Sequence, residues 1–250
     1  MYNSTLNICG NAEIEGTTQG VFINNENNET VIISGGEITA SADNGNGINV
    51  NRGNVEINGG LITSTSSGNS GYGITLQANC TVNISGGIIT ASGSNSEGVR
   101  VNGGTANISG SASISAIKYG IYSSNGTINI SGGAISASSI GSRGIYLFYS
   151  TLNISGNAEI NANQYGVYVD NGTVKVIGGT TTADDTGILV VNGTANIEGG
   201  IITAGNIGIR VANGTANIEG GSISSSNQNG IGIKVTNGSE AKISGGSISA

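Results

Sequence analysis

The stretch that decides the fold runs from Thr194 to Gly220 and reads TANIEGGIITAGNIGIRVANGTANIEG. It holds one complete unit of 21 residues, after which the phrase TANIEG returns. Aligned on the first Gly after the phrase, the unit recurs at positions 10, 35, 59, 86, 110, 132, 156, 178, 199, 220 and 245, with spacings of 21 to 27 residues. A period of this length, maintained along the whole chain, indicates a repeat architecture.

Each unit contains three short runs in which every second residue is apolar. Examples of the first, second and third runs are Thr127–Ile130, Ile201–Ala204 and Gly208–Val211. This alternation is typical of β-strands. Gly-Gly pairs such as Gly199-Gly200 separate the first run from the second, and Asn-Gly pairs such as Asn213-Gly214 lead into the next unit. Because strands this short cannot bury a face within one unit, the pattern predicts stacked units forming three parallel sheets.

Composition disfavours several classes of function. The chain has 250 residues with 45 Gly, no Pro, no Trp and no His, and its formal net charge is -7. Without His, the usual proton-transfer and metal chemistry has few candidate residues, so we expect no enzyme activity, no cofactor and no metal. The eight Lys and Arg residues are spread singly, which argues against nucleic-acid binding. No secretory signal precedes the repeats, and no apolar run approaches the roughly 20 residues of a membrane span.

The repeats resemble the right-handed parallel β-helix of the pectate-lyase-like superfamily, particularly the arrays rich in Gly, Asn, Ser and Thr of large bacterial surface and secreted proteins. The resemblance implies an all-β, right-handed parallel β-helix (β-solenoid) with three parallel sheets and about eleven coils of 21 to 27 residues. It also implies an extracellular or cell-surface location and a role as a stalk or adhesin segment. The enzymes of the superfamily typically show clustered Asp with His, Arg or Lys across neighbouring coils, and this sequence lacks that pattern.

The repeats predict a single β-helix domain over residues 1–250. The array begins inside a first strand at Thr5 and ends after a second strand at Ala250, with no cap at either end. Because solenoids need terminal caps to prevent association through their last coils, we expect an excerpt of a longer array that can associate end to end. Cys9 and Cys80 lie about three units apart, on the order of 14 Å, which is too far for a disulfide.

A candidate binding surface lies on the outward face of the third strand, where six of the eight Tyr residues gather. Tyr side chains with Arg alongside suit stacking on sugar rings, so we expect a polysaccharide or cell-surface glycan to bind there. The predicted binding residues are Tyr72, Arg100, Tyr119, Tyr122, Arg143, Tyr146, Tyr165 and Tyr168. The loops before this strand absorb much of the length variation between units, as at the ligand-facing edge of a solenoid. Stacked Tyr that only stabilise the sheet are the alternative.

Two other functions remain open from the sequence. Glu198 and Glu219 occupy the same position in successive units, roughly 5 Å apart, which is near the separation in retaining glycosidases. The chain could therefore be a segment of a carbohydrate-active β-helix enzyme such as a polysaccharide lyase or glycosidase. Outward columns of Thr and Asn predict hydrogen-bonded ladders, or the regular array of an ice-binding solenoid. Asp184-Asp185 is a solvated turn or a weak site for a hard cation.

Overall fold

The structure is a computed structural model that describes residues 6–24, 30–66, 68 and 70–250. Thr5 and the other residues outside these ranges belong to the predicted domain but are not described. The described part of the chain contains thirty β-strands and no helix. Strands of successive coils pair in parallel. The predicted all-β parallel solenoid is therefore confirmed, and the architecture is consistent with the right-handed β-helix.

The strands fall into three ladders, one for each strand of the repeat. The first ladder comprises β1 (Leu6–Ile8), the first half of β4 (Thr30–Ala40), the first half of β6 (Asn54–Ser64), β8 (Thr81–Ile84), β11 (Thr105–Ile108), β14 (Thr127–Ile130), β17 (Thr151–Ile154), β20 (Thr173–Val176), β23 (Thr194–Ile197), β26 (Thr215–Ile218) and β29 (Glu240–Ile243). The second ladder comprises β2 (Glu13–Gly16), the second halves of β4 and β6, β9 (Ile88–Ala91), β12 (Ser113–Ala116), β15 (Ala134–Ala137), β18 (Glu159–Ala162), β21 (Thr180–Ala183), β24 (Ile201–Ala204), β27 (Ser222–Ser225) and β30 (Ser247–Ser249).

The third ladder forms a sheet of its own. It comprises β3 (Gln19–Asn24), β5 (Gly45–Arg52), β7 (Gly71–Leu76), β10 (Glu97–Asn102), β13 (Tyr119–Ser124), β16 (Arg143–Phe148), β19 (Tyr165–Asp170), β22 (Thr186–Val191), β25 (Ile207–Ala212) and β28 (Ile231–Thr236). The first and second ladders together form a 20-stranded sheet, because β4 and β6 continue through their Gly-Gly bends. Ten turns are complete, and β29 and β30 begin an eleventh.

Columns of inward-facing aliphatic side chains fill the solenoid. In one coil, Ile130, Ile135 and Ile145 supply the inward positions of the three strands, and each is at most 1 % exposed. Thr181 takes the position of Ile in the second ladder and is equally buried. Cys80 lies in this core, Cys9 is exposed, and both are free. Burial of β-branched residues on every coil makes stacking the dominant source of stability.

A column of glycines near the start of each third strand allows the ladders to approach closely. A Cβ on Gly144 would lie 2.6 Å from Ile160 Cγ2 and 2.7 Å from the carbonyl oxygen of Gly166. Gly120 and Gly166 meet the same two kinds of neighbour. The glycine of the third strand is therefore required for the close packing of this strand against the second ladder and against the third strand of the next coil.

Left-handed asparagines close most coils. Asn125, Asn171 and Asn192 have φ between 51° and 55°, a conformation that Asn tolerates better than most residues. Tyr149 takes this position in one coil with φ of 49°, and it is followed by Ser150, whereas each of these three asparagines is followed by Gly.

The last coil leaves part of its interior uncovered. Val235, Ile243 and Ile248 occupy inward positions and are 38 to 54 % exposed, since no described strand stacks on the far side of β28, β29 or β30. End-to-end association through such a surface stays a prediction.

Candidate functional site

The predicted binding residues lie in two adjacent columns on the outer side of the third ladder. The column immediately before the Gly of each coil contains Tyr72, Glu97, Tyr119, Arg143 and Tyr165 on consecutive strands. The column two residues beyond that Gly contains Arg100, Tyr122, Tyr146 and Tyr168 on consecutive strands. The structure therefore brings all eight predicted residues together, and we call these eight residues the tyrosine face. Each of their side chains is half-buried.

The rings of the tyrosine face pack mainly edge to face. Tyr146 lies centrally, with ring centroids 5.5 Å from Tyr119, 5.4 Å from Tyr122 and 5.1 Å from Tyr168, at interplanar angles of 66° to 84°. Tyr119 and Tyr122 stack at 6.1 Å. Edge-to-face contacts satisfy the ring quadrupoles. The surface offered to a ligand thus consists of ring edges, hydroxyls and partly covered faces, and the rings hold one another in place.

Arg143 is the organising cation of the face. Its guanidinium carbon lies 4.3 Å from the ring centroid of Tyr168, 4.5 Å from that of Tyr146, 5.3 Å from that of Tyr119 and 5.9 Å from that of Tyr165. One terminal nitrogen donates to Tyr119 Oη at 2.8 Å, while the buried Nε has no hydrogen-bond partner. Among the described residues, no carboxylate forms an ion pair with Arg143. Cation–π contacts replace the missing counter-charge.

Arg100 is held differently, by a carboxylate inside the face. Its guanidinium lies 4.5 Å from the ring centroid of Tyr72 and 5.1 Å from that of Tyr122. Two of its nitrogens donate to the carboxylate oxygens of Glu97 at 2.8 and 2.7 Å. Glu97 is only 3 % exposed. Burial raises the pKa of the Glu97 carboxyl, and the bidentate contact with Arg100 opposes that shift.

The hydroxyls at the centre of the face stay protonated well above neutral pH. Burial, and then the negative charge of Asp170, raise the pKa of Tyr146 to about 12, while Arg143 opposes the shift. Tyr146 Oη lies 3.5 Å from Asp170 Oδ2 as a weak donor. Burial also raises the pKa of Tyr168. Tyr146 and Tyr168 therefore present neutral hydroxyls that can donate and accept hydrogen bonds.

Buried serines anchor the long loops beside the face. Ser96 Oγ donates to the Ala91 carbonyl at 2.8 Å and accepts the backbone N–H of Ile117, which belongs to the next coil. Ser142 Oγ makes the equivalent bond to the Ala137 carbonyl at 2.8 Å. The longer loops that precede β10 and β16 are thus tied to the solenoid.

Three polar residues of the site were missing from the sequence-based set. Glu97 lies in the same column as Tyr72, immediately before the Gly of its third strand. This position in the repeat could have identified Glu97 as a residue of the site. Asp170 is the last residue of a third strand, beyond the two columns considered. Lys118 donates to Asn95 Oδ1 at 3.0 Å, and its Nζ lies 5.1 Å from the Tyr119 ring centroid. No sequence pattern singled out the last two.

The acidic residues considered for catalysis or cation binding are exposed or form common polar contacts with neighbouring coils. Glu198 forms a salt bridge of 2.8 Å with Lys175 of the preceding coil, and Glu219 is exposed. Asp184 and Asp185 each accept a hydrogen bond from an asparagine amide of an adjacent coil. The described residues include no cluster of three metal-ligating side chains.

The predicted asparagine ladder is confirmed. Asn107, Asn129 and Asn153 each donate a side-chain amide hydrogen to the amide oxygen of the preceding coil's Asn, at 2.7 to 2.8 Å. Satisfied amide chains of this kind stabilise stacked parallel strands.

Compared with known proteins, the chain matches no family model, no curated protein and no solved structure. Within the described residues there is no helix long and apolar enough to span a membrane.

Proposed function

We propose that the chain is a non-catalytic β-helical module of a bacterial surface or secreted protein, and that it binds a polysaccharide along the tyrosine face. The observation that carries the proposal is the organised Tyr and Arg surface on consecutive coils. Arg143 is surrounded by four rings, and the hydroxyl of Tyr146 at the centre of the tyrosine face remains neutral. Aromatic side chains and hydroxyls in a fixed arrangement are the groups that contact the apolar faces and hydroxyls of sugars.

The dimensions of the face support an extended chain as the ligand. Neighbouring coils are separated by roughly 4.8 Å, and the Tyr146 and Tyr168 centroids lie 5.1 Å apart. This spacing between neighbouring coils is close to the length of one pyranose unit in an extended glycan. A glycan parallel to the solenoid axis would therefore meet one third strand for each sugar.

The rod shape of the solenoid suits the proposed role as a stalk or adhesin segment. Eleven coils at roughly 4.8 Å make a rod of about 50 Å, and all thirty described strands belong to the two stacked sheets. The stalk or adhesin role and the extracellular location belong to the proposal, as does the absence of catalysis. The salt bridge between Glu198 and Lys175 supports that absence, because it occupies one member of the candidate acid pair.

The test is a glycan-array screen of the parent chain beside a triple variant, Tyr122→Ala, Tyr146→Ala and Tyr168→Ala. A matched control removes outward side chains from the same three coils on the first ladder: Thr105→Ala, Thr127→Ala and Thr151→Ala. Circular dichroism establishes that all three proteins are folded.

We expect the parent and the threonine variant to bind the same glycan, and the tyrosine variant to lose at least tenfold in affinity. A second triple variant with Phe at the tyrosine positions keeps the rings and separates ring contacts from hydroxyl contacts. Absence of glycan binding by the parent, or equal loss in the threonine variant, would contradict the proposal.

A further inference from the structure

Charge is distributed unequally between the three ladders. The third strands contain five of the eight cationic residues of the chain, Arg52, Arg100, Arg143, Arg210 and Lys234, and only two of its fifteen acidic residues, Glu97 and Asp170. The third ladder therefore carries a net charge of +3. The rest of the chain has three cations against thirteen acids, a net charge of -10. A positive face on an acidic rod attracts anions and orients them toward that face.

Three of these cations have no counter-charge within the described part of the protein. Arg143, Arg210 and Lys234 form no ion pair there. The Nε atoms of Arg143 and Arg210 are buried without a hydrogen-bond partner. A partly desolvated, unpaired guanidinium is costly to maintain, and it attracts an anion more strongly than a solvated one does.

The cations flank the aromatic part of one column. On consecutive third strands this column contains Arg100, Tyr122, Tyr146, Tyr168, Leu189, Arg210 and Lys234. Arg143 lies in the adjacent column, on the same strand as Tyr146. At roughly 4.8 Å per coil, the four steps from Arg143 to Lys234 span about 19 Å.

We infer that the ligand of this surface is an anionic glycan, a chain bearing carboxylate or sulfate groups, that lies parallel to the solenoid axis and reaches from Arg143 to Lys234. The inference rests on the proposed function and specifies the class of its ligand. The tyrosines contact the sugar rings, and the guanidinium and ammonium groups pair with the acidic substituents.

The uneven spacing of the cations favours a glycan over an acidic peptide. The cations are separated by the strands that contain Tyr168 and Leu189. The half-buried Tyr168 ring can contact the apolar face of a sugar between charged substituents, and the buried Leu189 adds no charge there. The sheet of the third ladder also offers this ligand its side-chain face, whereas a peptide strand gains most from a free sheet edge.

The experiment uses anionic and neutral forms of the same backbones as probes. Carboxymethyl cellulose is compared with hydroxyethyl cellulose, and dextran sulfate with dextran, so that carboxylate and sulfate are distinguished. The variant is Arg210→Gln with Lys234→Gln, two residues outside the tyrosine face. The control, Lys175→Gln with Lys242→Gln, removes the same charge from the first ladder.

We expect at least one anionic probe to bind tenfold or more tightly than its neutral form. Arg210→Gln with Lys234→Gln should weaken that binding at least tenfold, while the control stays within twofold of the parent. Sulfated maltooctaose, which is long enough to span the four coil steps, should bind the parent more tightly than sulfated maltotriose does, and Arg210→Gln with Lys234→Gln should reduce that advantage.

Four outcomes would overturn the inference. Equal binding of neutral and anionic probes, with loss on mutating the tyrosines, would leave the proposed glycan binding intact and reject an anionic ligand. Equal effects of the two double variants, or an acidic peptide that outcompetes every glycan, would reject the assigned surface or ligand class. Failure of all glycans to bind would reject the proposed function as well.

Discussion

Replacing Gly144 by Ala should destabilise the solenoid although only one methyl group is added. The new Cβ would lie 2.6 Å from Ile160 Cγ2 and 2.7 Å from the Gly166 carbonyl oxygen, both well inside van der Waals contact. Neither neighbour can move freely, since Ile160 is fully buried and Gly166 is part of the paired sheet. Overpacking of a dense core costs about 1–3 kcal/mol, and the entropy that Ala removes from the unfolded chain returns about 0.4–1 kcal/mol.

The expected net loss in the free energy of unfolding is therefore about 2 kcal/mol, near the upper part of the overpacking range because two contacts are violated together. Gly232→Ala is the matched control. A Cβ there meets Ile248 Cγ2 at 2.4 Å, but the next nearest atom is 3.5 Å away. Ile248 is 38 % exposed in the last strand and can turn away, so we expect a loss below about 1 kcal/mol.

Urea denaturation followed by far-ultraviolet circular dichroism measures both variants against the parent. The reasoning predicts a clear difference between two chemically identical substitutions at equivalent repeat positions. Equal losses at Gly144 and Gly232, or a loss at Gly144 below about 0.5 kcal/mol, would show that close approach of the coils does not account for the glycine column.

Tyr146 should ionise near pH 12 in an ultraviolet absorbance titration, and Asp170→Asn should lower that pKa by removing a nearby negative charge. Because native Tyr146 keeps a proton that the unfolded chain loses near pH 10, the free energy of unfolding should fall as the pH rises from 10 to 12; a single tyrosine transition near pH 10 would refute this. Ser150→Gly should cost about 1–2 kcal/mol in urea denaturation, because Ser123 Oγ donates to Ser150 Oγ at 3.0 Å inside the core. Adding Ser123→Val should restore stability, and a stable single variant would contradict the pairing.

The fold was predictable because the repeat specifies it many times over. The alternation returns in every unit, the Gly-Gly bend in eight of the eleven and an Asn-Gly turn in several, so an irregular unit does not obscure the pattern. The continuity of β4 and β6 through their bends could not be predicted, because Gly36 and Gly60 look the same in the sequence as the glycines that interrupt strands in other coils.

The membership of the candidate site was predictable, but its internal order was not. A period of two, combined with the repeat alignment, places Tyr122, Tyr146 and Tyr168 in one outward column. Side-chain rotamers decide what they contact, and the sequence does not encode rotamers by spacing. An exposed strip of rings was expected, whereas the rings are half-buried, tilted edge to face and gathered around Arg143.

A solenoid of near-identical coils faces a hazard that an irregular core does not, since a coil displaced by one step would still bury isoleucine against isoleucine. The hydroxyl pair of Ser123 and Ser150 breaks this degeneracy, because a displaced coil would place the Ser123 hydroxyl against an aliphatic neighbour with no partner. This hydroxyl pair acts as a position marker that lets the two coils distinguish each other from the copies beyond them.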